Sequence, residues 1–213
     1  MKKISRFFVA VFALVVITGC GSTPKVKDVS GTTEILEHKG TRWGVAQPSW
    51  VTTVMTTPNQ KTLSKELGID KHIWVLESSG ENLDFLQNWV DQVDARAEIA
   101  ASIKQGIADF VKADMKGESK ESVDKELERY SARAAMISLS GLNKEIEWWT
   151  KTRSRLDKKS DYEIQYNYLV VYSLDEKLYE KQIMEAFKDL GDEERTQKLF
   201  EKLNGLVEIR VKN

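Results

Sequence analysis

The stretch YEIQYNYLVVY, residues 162–172, alternates without a break. Tyr162, Ile164, Tyr166, Tyr168, Val170 and Tyr172 share one face; Glu163, Gln165, Asn167, Leu169 and Val171 share the other. A period of two predicts a β-strand. Just upstream, EIEWWTKTRSR (145–155) has the same period. Ile146, Trp148, Thr150, Thr152 and Ser154 fall on one side; Glu145, Glu147, Trp149, Lys151, Arg153 and Arg155 fall on the other. LDKKSD (156–161) supplies a turn, so the two runs read as a hairpin. Its aromatic ladder is read as a sheet face packed on helices, against the alternative of a stacking platform for sugars or bases. Trp149 lies on the charged side of its strand, which makes it a candidate exposed interaction anchor.

Outward from the hairpin, HIWVLESS (72–79) is apolar on both faces, with Ile73 and Val75 opposed to Trp74 and Leu76. That pattern predicts a central strand. Ser78-Ser79-Gly80-Glu81 offers a capping box for a following helix. Residues 82–115 then carry apolar positions at spacings of three and four, including Leu86, Val90, Val93, Ala97, Ala100, Ile103 and Ile107. One long amphipathic helix is expected, with its alanines on the buried face. After the polar break at Gly117 a second helix is expected over 119–142, giving an antiparallel helical hairpin. Arg96 and Arg133, in Ala-rich turns, read as snorkelling or carboxylate-paired cations. Ser173 and Glu176 form another capping box, opening a helix that Gly191 ends. A shorter helix over 192–203 follows, and LVEIRV (206–211) is a last strand or a docked tail. The fold class is therefore α+β: a small antiparallel sheet packed against a long helical hairpin, with a further C-terminal helix.

On the amino-terminal side, residues 42–55 (RWGVAQPSWVTTVM) read as an extended lead-in, because Pro48 opposes a helix. Trp43 and Trp50 are expected to dock at the core edge; a ligand platform is the alternative. A short helix is expected over 59–68. Residues 20–41 are polar and read as a tether, with a short strand or turn available over 33–39. The domain proper is expected over 42–213.

The first twenty residues are MKKISRFFVAVFALVVITGC. A basic head, an apolar run from Phe7 to Ile17 and small residues before the chain's single cysteine make a secretory signal peptide. The run is too short to span a bilayer, which takes roughly 20 apolar residues. Its end, Ile17-Thr18-Gly19-Cys20, resembles the lipobox of bacterial lipoproteins. That resemblance implies removal of residues 1–19, a diacylglycerol thioether on Cys20 and acylation (palmitate) of the new amino terminus. Lys2, Lys3 and Arg6 leave with the leader, so 29 basic residues face 33 acidic ones in a mature chain of net charge −4. Such a chain has no electrostatic footprint for nucleic acid or for anionic lipid. Attachment to the membrane is expected through the N-terminal lipid, whose multiple chains anchor stably.

Motifs for chemistry are missing. The two histidines, His38 and His72, are far apart, and there is no HxxxH, CxxC, EF-hand, G-x-S-x-G or phosphate-loop pattern. No catalytic residue, metal ligand or cofactor site is assigned. A carboxylate-pair hydrolase is the residual enzymatic reading.

Taken together, the lipobox, Pro48-Ser49-Trp50-Val51, the strand 72–79, Ala95-Arg96-Ala97-Glu98-Ile99-Ala100 and the Tyr-rich strand ending Leu169-Val170-Val171-Tyr172 resemble the LPP20-type lipoproteins of bacteria. The resemblance implies a compact α+β domain related to one in a flagellar outer-membrane ring component, and an envelope lipoprotein without known enzymatic activity. Glu77-Ser78-Ser79-Gly80 and Trp148-Trp149 depart from that pattern. The expected protein is thus a lipid-anchored, non-enzymatic scaffold or assembly factor of the envelope and periplasm, binding an envelope protein partner through Trp149, Trp43 or Trp50. The outer membrane is favoured if the host has two membranes, because Gly21 rather than Asp follows Cys20. The alternative is a module for peptidoglycan or a small ligand.

Overall fold

The computed structural model describes residues 33–155 and 161–211. The leader, Cys20, the tether as far as residue 32 and most of the 156–161 turn lie outside the described residues. The chain forms β1 (Thr33–His38), α1 (Ser49–Thr56), α2 (Gln60–Leu67), β2 (His72–Gly80), α3 (Leu83–Gln92), α4 (Ala95–Asp114) and α5 (Lys120–Ala134). It continues with β3 (Asn143–Ser154), β4 (Glu163–Leu174), α6 (Glu176–Phe187), α7 (Glu193–Asn204) and β5 (Glu208–Arg210). The α+β class and the α4–α5 hairpin stand as expected.

One five-stranded sheet, ordered β1-β3-β4-β2-β5, organises these elements. The hairpin β3–β4 pairs antiparallel from Asn143↔Ser173 to Ser154↔Glu163, and β2 pairs with β4 from His72↔Leu174 to Gly80↔Tyr166. The interior position of β2 follows from its composition: every side chain from His72 to Leu76 is buried. At the edges, the strand alternatives left open over 33–39 and 206–211 are the ones realised. β5 runs parallel to β2, and β1 runs antiparallel to β3. Residues 33–38, assigned to the tether by composition, therefore belong to the sheet.

Each face of the sheet has its own core. On one side Trp74, Leu76, Tyr168, Val170 and Tyr172 pack beneath α3–α7, meeting Leu86, Ile99, Ile103, Tyr130, Ile183 and Leu199. The Tyr ladder is thus a core face over these strand positions, as the packing reading expects. On the other side Ile73, Val75, Leu169 and Val171 meet Trp50, Val51 and Val54 of α1 and Leu63 of α2. Arg195 of α7 ties the helix layer together. It reaches Asp114 at 2.8 Å and Glu126 of α5, with its guanidinium 4.9 Å from the Tyr130 ring. Arg133 pairs with Asp189 at 2.9 Å, a carboxylate partner of the kind expected for it.

Four local expectations are corrected. The long helix over 82–115 is broken: Val93 is extended, and the Asp94 side chain accepts from the N–H groups of Arg96 and Ala97, capping α4. The break resets the helical phase, so the buried row is Ala95, Ile99, Ile103, Gly106 and Ile107, while Ala97 and Ala100 are exposed. The second helix stops at Ala134 rather than Leu142, because the chain turns to bury Leu139, which adopts φ 50°. Both capping boxes are replaced. β2 runs through Ser78 and Ser79 and the cap is Asn82, while β4 runs through Ser173 and the cap is Asp175. Finally, Pro48 is extended (φ −62°, ψ 145°), but the extended lead-in ends there and residues 49–56 are helical. The proline stands as the N-cap of α1, where its missing N–H removes no helical bond.

Leu76 is wholly buried between β4 and β5. Leu76→Ala is expected to lower stability by about 2–5 kcal/mol, and Asp94→Ala by about 1 kcal/mol through the lost cap, both measured by urea unfolding. A neutral Asp94→Ala would show that this cap contributes nothing to stability.

Candidate functional site

The three tryptophans singled out by sequence fall in three different environments. Trp50 is buried, at 3 % exposure, inside the α1 core. Trp149 is half-buried: its ring packs against the helix-side core and meets Tyr166 edge-on at 5.9 Å. The expectation of an exposed anchor at Trp149 is corrected. Its strand face is the one that α3–α7 cover, and the indole takes its place at the margin of that layer. Trp43 is the reverse. It was expected to dock, yet it is 75 % exposed, the largest exposure among the large hydrophobic side chains described.

The Trp43 turn is built to hold that position. Past the end of β1 the Lys39 N–H donates to the Trp149 carbonyl at 3.1 Å, extending the ladder by one bond. The Gly40 carbonyl then accepts from the N–H groups of both Trp43 and Val45 at 3.0 Å. The His38 N–H donates to the Thr41 hydroxyl at 2.9 Å. Gly40 is obligatory, because a Cβ there would sit 2.5 Å from the Val45 carbonyl oxygen. Gly44 closes the single 3-10 turn, residues Thr41–Trp43, at φ 66°. Lys39 also reaches Glu147 at 3.3 Å, and the Arg42 guanidinium lies 5.6 Å from the Trp43 ring centroid. Val45 is likewise exposed. The result is an indole and a valine presented on a hydrogen-bonded scaffold at the open edge of the sheet.

Two polar constellations lie elsewhere. Glu77 of β2 and Glu208 of β5 share a cleft of about 220 Å³ with Thr152, Gln165 and Asn167. Burial first, and Glu208 second, raise the Glu77 carboxyl above its ordinary range. Arg210 bridges the pair, 2.8 Å from Glu208 and 3.5 Å from Glu77. The cleft is below the roughly 300 Å³ of ordinary ligand pockets, and the arginine clamps both carboxylates. The ion pairs sit at the rim of the parallel edge, where backbone bonds such as Val211 N–H to the Glu77 carbonyl at 2.8 Å join β5 to β2. The second constellation is centred on His72, which is fully buried. Its Nδ1–H donates to Asn204 Oδ1 at 2.6 Å, and the Asn204 amide donates to Glu176 at 3.3 Å. The imidazole stacks on Tyr179 at 4.7 Å and meets Trp74 edge-on at 4.2 Å. These contacts lock the start of β2 to α6 and α7. Among the described residues no group of three or more His, Cys, Asp or Glu is placed to hold a metal ion.

Neither a family model, nor a curated protein, nor a solved structure matches this chain.

Burial lowers the His72 pKa from 6.5 to about 4, against the opposing hydrogen bonds from Asn204 and Leu206. The folded state therefore resists a proton that the unfolded chain accepts. Stability from this group is complete above about pH 6.5 and falls as pH drops towards 4, by on the order of 3 kcal/mol. Urea unfolding at several pH values across that window should show the slope in the wild type and a much flatter one in His72→Gln. Equal slopes would contradict a buried neutral imidazole.

Proposed function

We propose that this protein is a lipid-anchored component of the bacterial envelope that works without catalysis, as a scaffold or assembly factor, and that the Trp43 turn is its partner anchor. The observation that carries this reading is the Trp43 side chain: 75 % exposed, on a turn closed by backbone hydrogen bonds. A large aromatic on a turn whose backbone is already ordered spares that ordering cost on docking, and Trp is among the commonest interface hot spots. Arg42 beside it and Val45 next to it supply the mixed polar and apolar contact such anchors use. The lipobox-like end at Cys20 supports anchorage, and no helix among the described residues is long and apolar enough to cross a membrane. The resemblance to LPP20-type lipoproteins supports the same class from sequence pattern. An outer-membrane location is proposed for a host with two membranes, on the Gly21 that follows Cys20.

A peptidoglycan- or small-ligand-binding role draws less support. The Tyr ladder that would have stacked sugars is covered by helices at Tyr168 and Tyr172, and Trp50 is in the core.

The test is crosslinking and pull-down from intact envelopes. Wild-type protein should capture a defined partner, and Trp43→Ala should reduce that capture about tenfold or more, as hot-spot truncations do. Trp149→Ala should weaken folding instead. Cys20→Ser should release a folded domain or leave an uncleaved precursor. Undiminished capture by Trp43→Ala would reject the anchor, and a processed, membrane-bound Cys20→Ser would reject the lipoprotein.

A further inference from the structure

The outer end of the β3–β4 hairpin combines three features that the reading above does not use. The first is exposure of large apolar side chains where the strands run past the helix layer. Tyr162 and Ile164 are 46 % and 45 % exposed, and Ile35 and Leu36 on neighbouring β1 are 42 % and 40 % exposed. The second is pairing of these rings with cations. The Arg153 and Arg155 guanidiniums lie 4.6 and 4.8 Å from the Tyr162 centroid, and the Lys151 ammonium lies 5.3 Å from that of Tyr166. Arg153 also holds Glu34 of β1. The third is where the chain enters. Thr33, the first described residue, is paired with Ser154 at this end.

We propose that this hairpin end rests in the headgroup zone of the bilayer that holds the Cys20 lipid. The proposal depends on the lipid-anchored reading and adds an orientation to it. Twelve residues lie between Cys20 and Thr33, and the thirteen steps of chain span at most about 45 Å. The bilayer is therefore within reach of this end. Tyr rings with an apolar body and a polar tip, flanked by the aliphatic stems of Arg and Lys, are the side chains that settle at a membrane interface. The Trp43 turn lies at the opposite end of β1, roughly 20 Å away over six residues. Seating the hairpin end on lipid thus points the partner anchor away from the membrane.

The experiment uses the mature, lipidated protein in vesicles of phosphatidylethanolamine and phosphatidylglycerol. The only native cysteine is Cys20, so Ile164→Cys can be labelled alone with a polarity-sensitive fluorophore once that thiol carries lipid. Met136→Cys, at an exposed position after α5, is the comparison. A blue shift and several-fold brightening at 164, quenched by brominated lipid, with no change at 136, is the expected result. A label at 164 that stays aqueous while mass spectrometry shows lipid on Cys20 overturns the docking and leaves the anchor intact. A mass showing bare Cys20 removes the anchored reading, and the docking with it. Equal shifts at both positions also overturn the proposal, since they mark adsorption without orientation.

Discussion

Every side chain from His72 to Leu76 is buried, and a strand with no exposed face requires a layer on each side of its sheet. Nearly everything else in the molecule answers that requirement. Ile73 and Val75 need α1 and α2; Trp74 and Leu76 need the larger layer of α3–α7. The strand also needs two neighbours for its backbone, and takes β4 along its whole length and β5 over three residues. Hydrogen bonding at its start extends the same logic. The His72–Asn204–Glu176 chain ties the strand to the end of α7 and the start of α6, at the cost of keeping an imidazole uncharged.

With the centre so committed, variation is left to the edge. β3 is long enough to serve β4 and still offer β1 a partner, so the amino-terminal segment joins the sheet at its outermost position. That placement gives the molecule two distinct ends. Where β1 begins, the chain comes in beside Tyr162 and Ile164; where it finishes, the Gly40–Val45 turn lifts an indole into solvent. On the proposed anchorage, such polarity lets one end face lipid while the other stays free for a partner.

Much of this was legible in residue pattern, and the exceptions have physical causes. Alternation revealed β2, β3 and β4, since a half-buried or buried strand selects side chains by face. The same alternation placed Trp149 correctly on its face and misjudged its exposure, because pattern within one strand does not say how far a helix layer extends over it. The break at Asp94 was hidden because Val93 and Ala97 satisfy a helical spacing whether or not the helix is interrupted. Only the capping contacts to Arg96 and Ala97 reveal it. β1 lacked a strong strand composition and depends on β3 for its pairing. The expectation that Trp43 docks at the core edge rests on average tryptophan behaviour. The signal against that was local: glycines at 40 and 44 bracket a tight turn, and a residue at the apex of such a turn has nothing to dock on.

The central claim is that the Trp43 turn is the working surface of a protein held at the envelope by its amino terminus. Amide hydrogen exchange, compared between the purified domain and the protein in native envelopes, tests it most directly. The account predicts slower exchange over residues 39–45 in the envelope, with the α5–α6 surface unchanged. Identical exchange at the turn in both settings would contradict it.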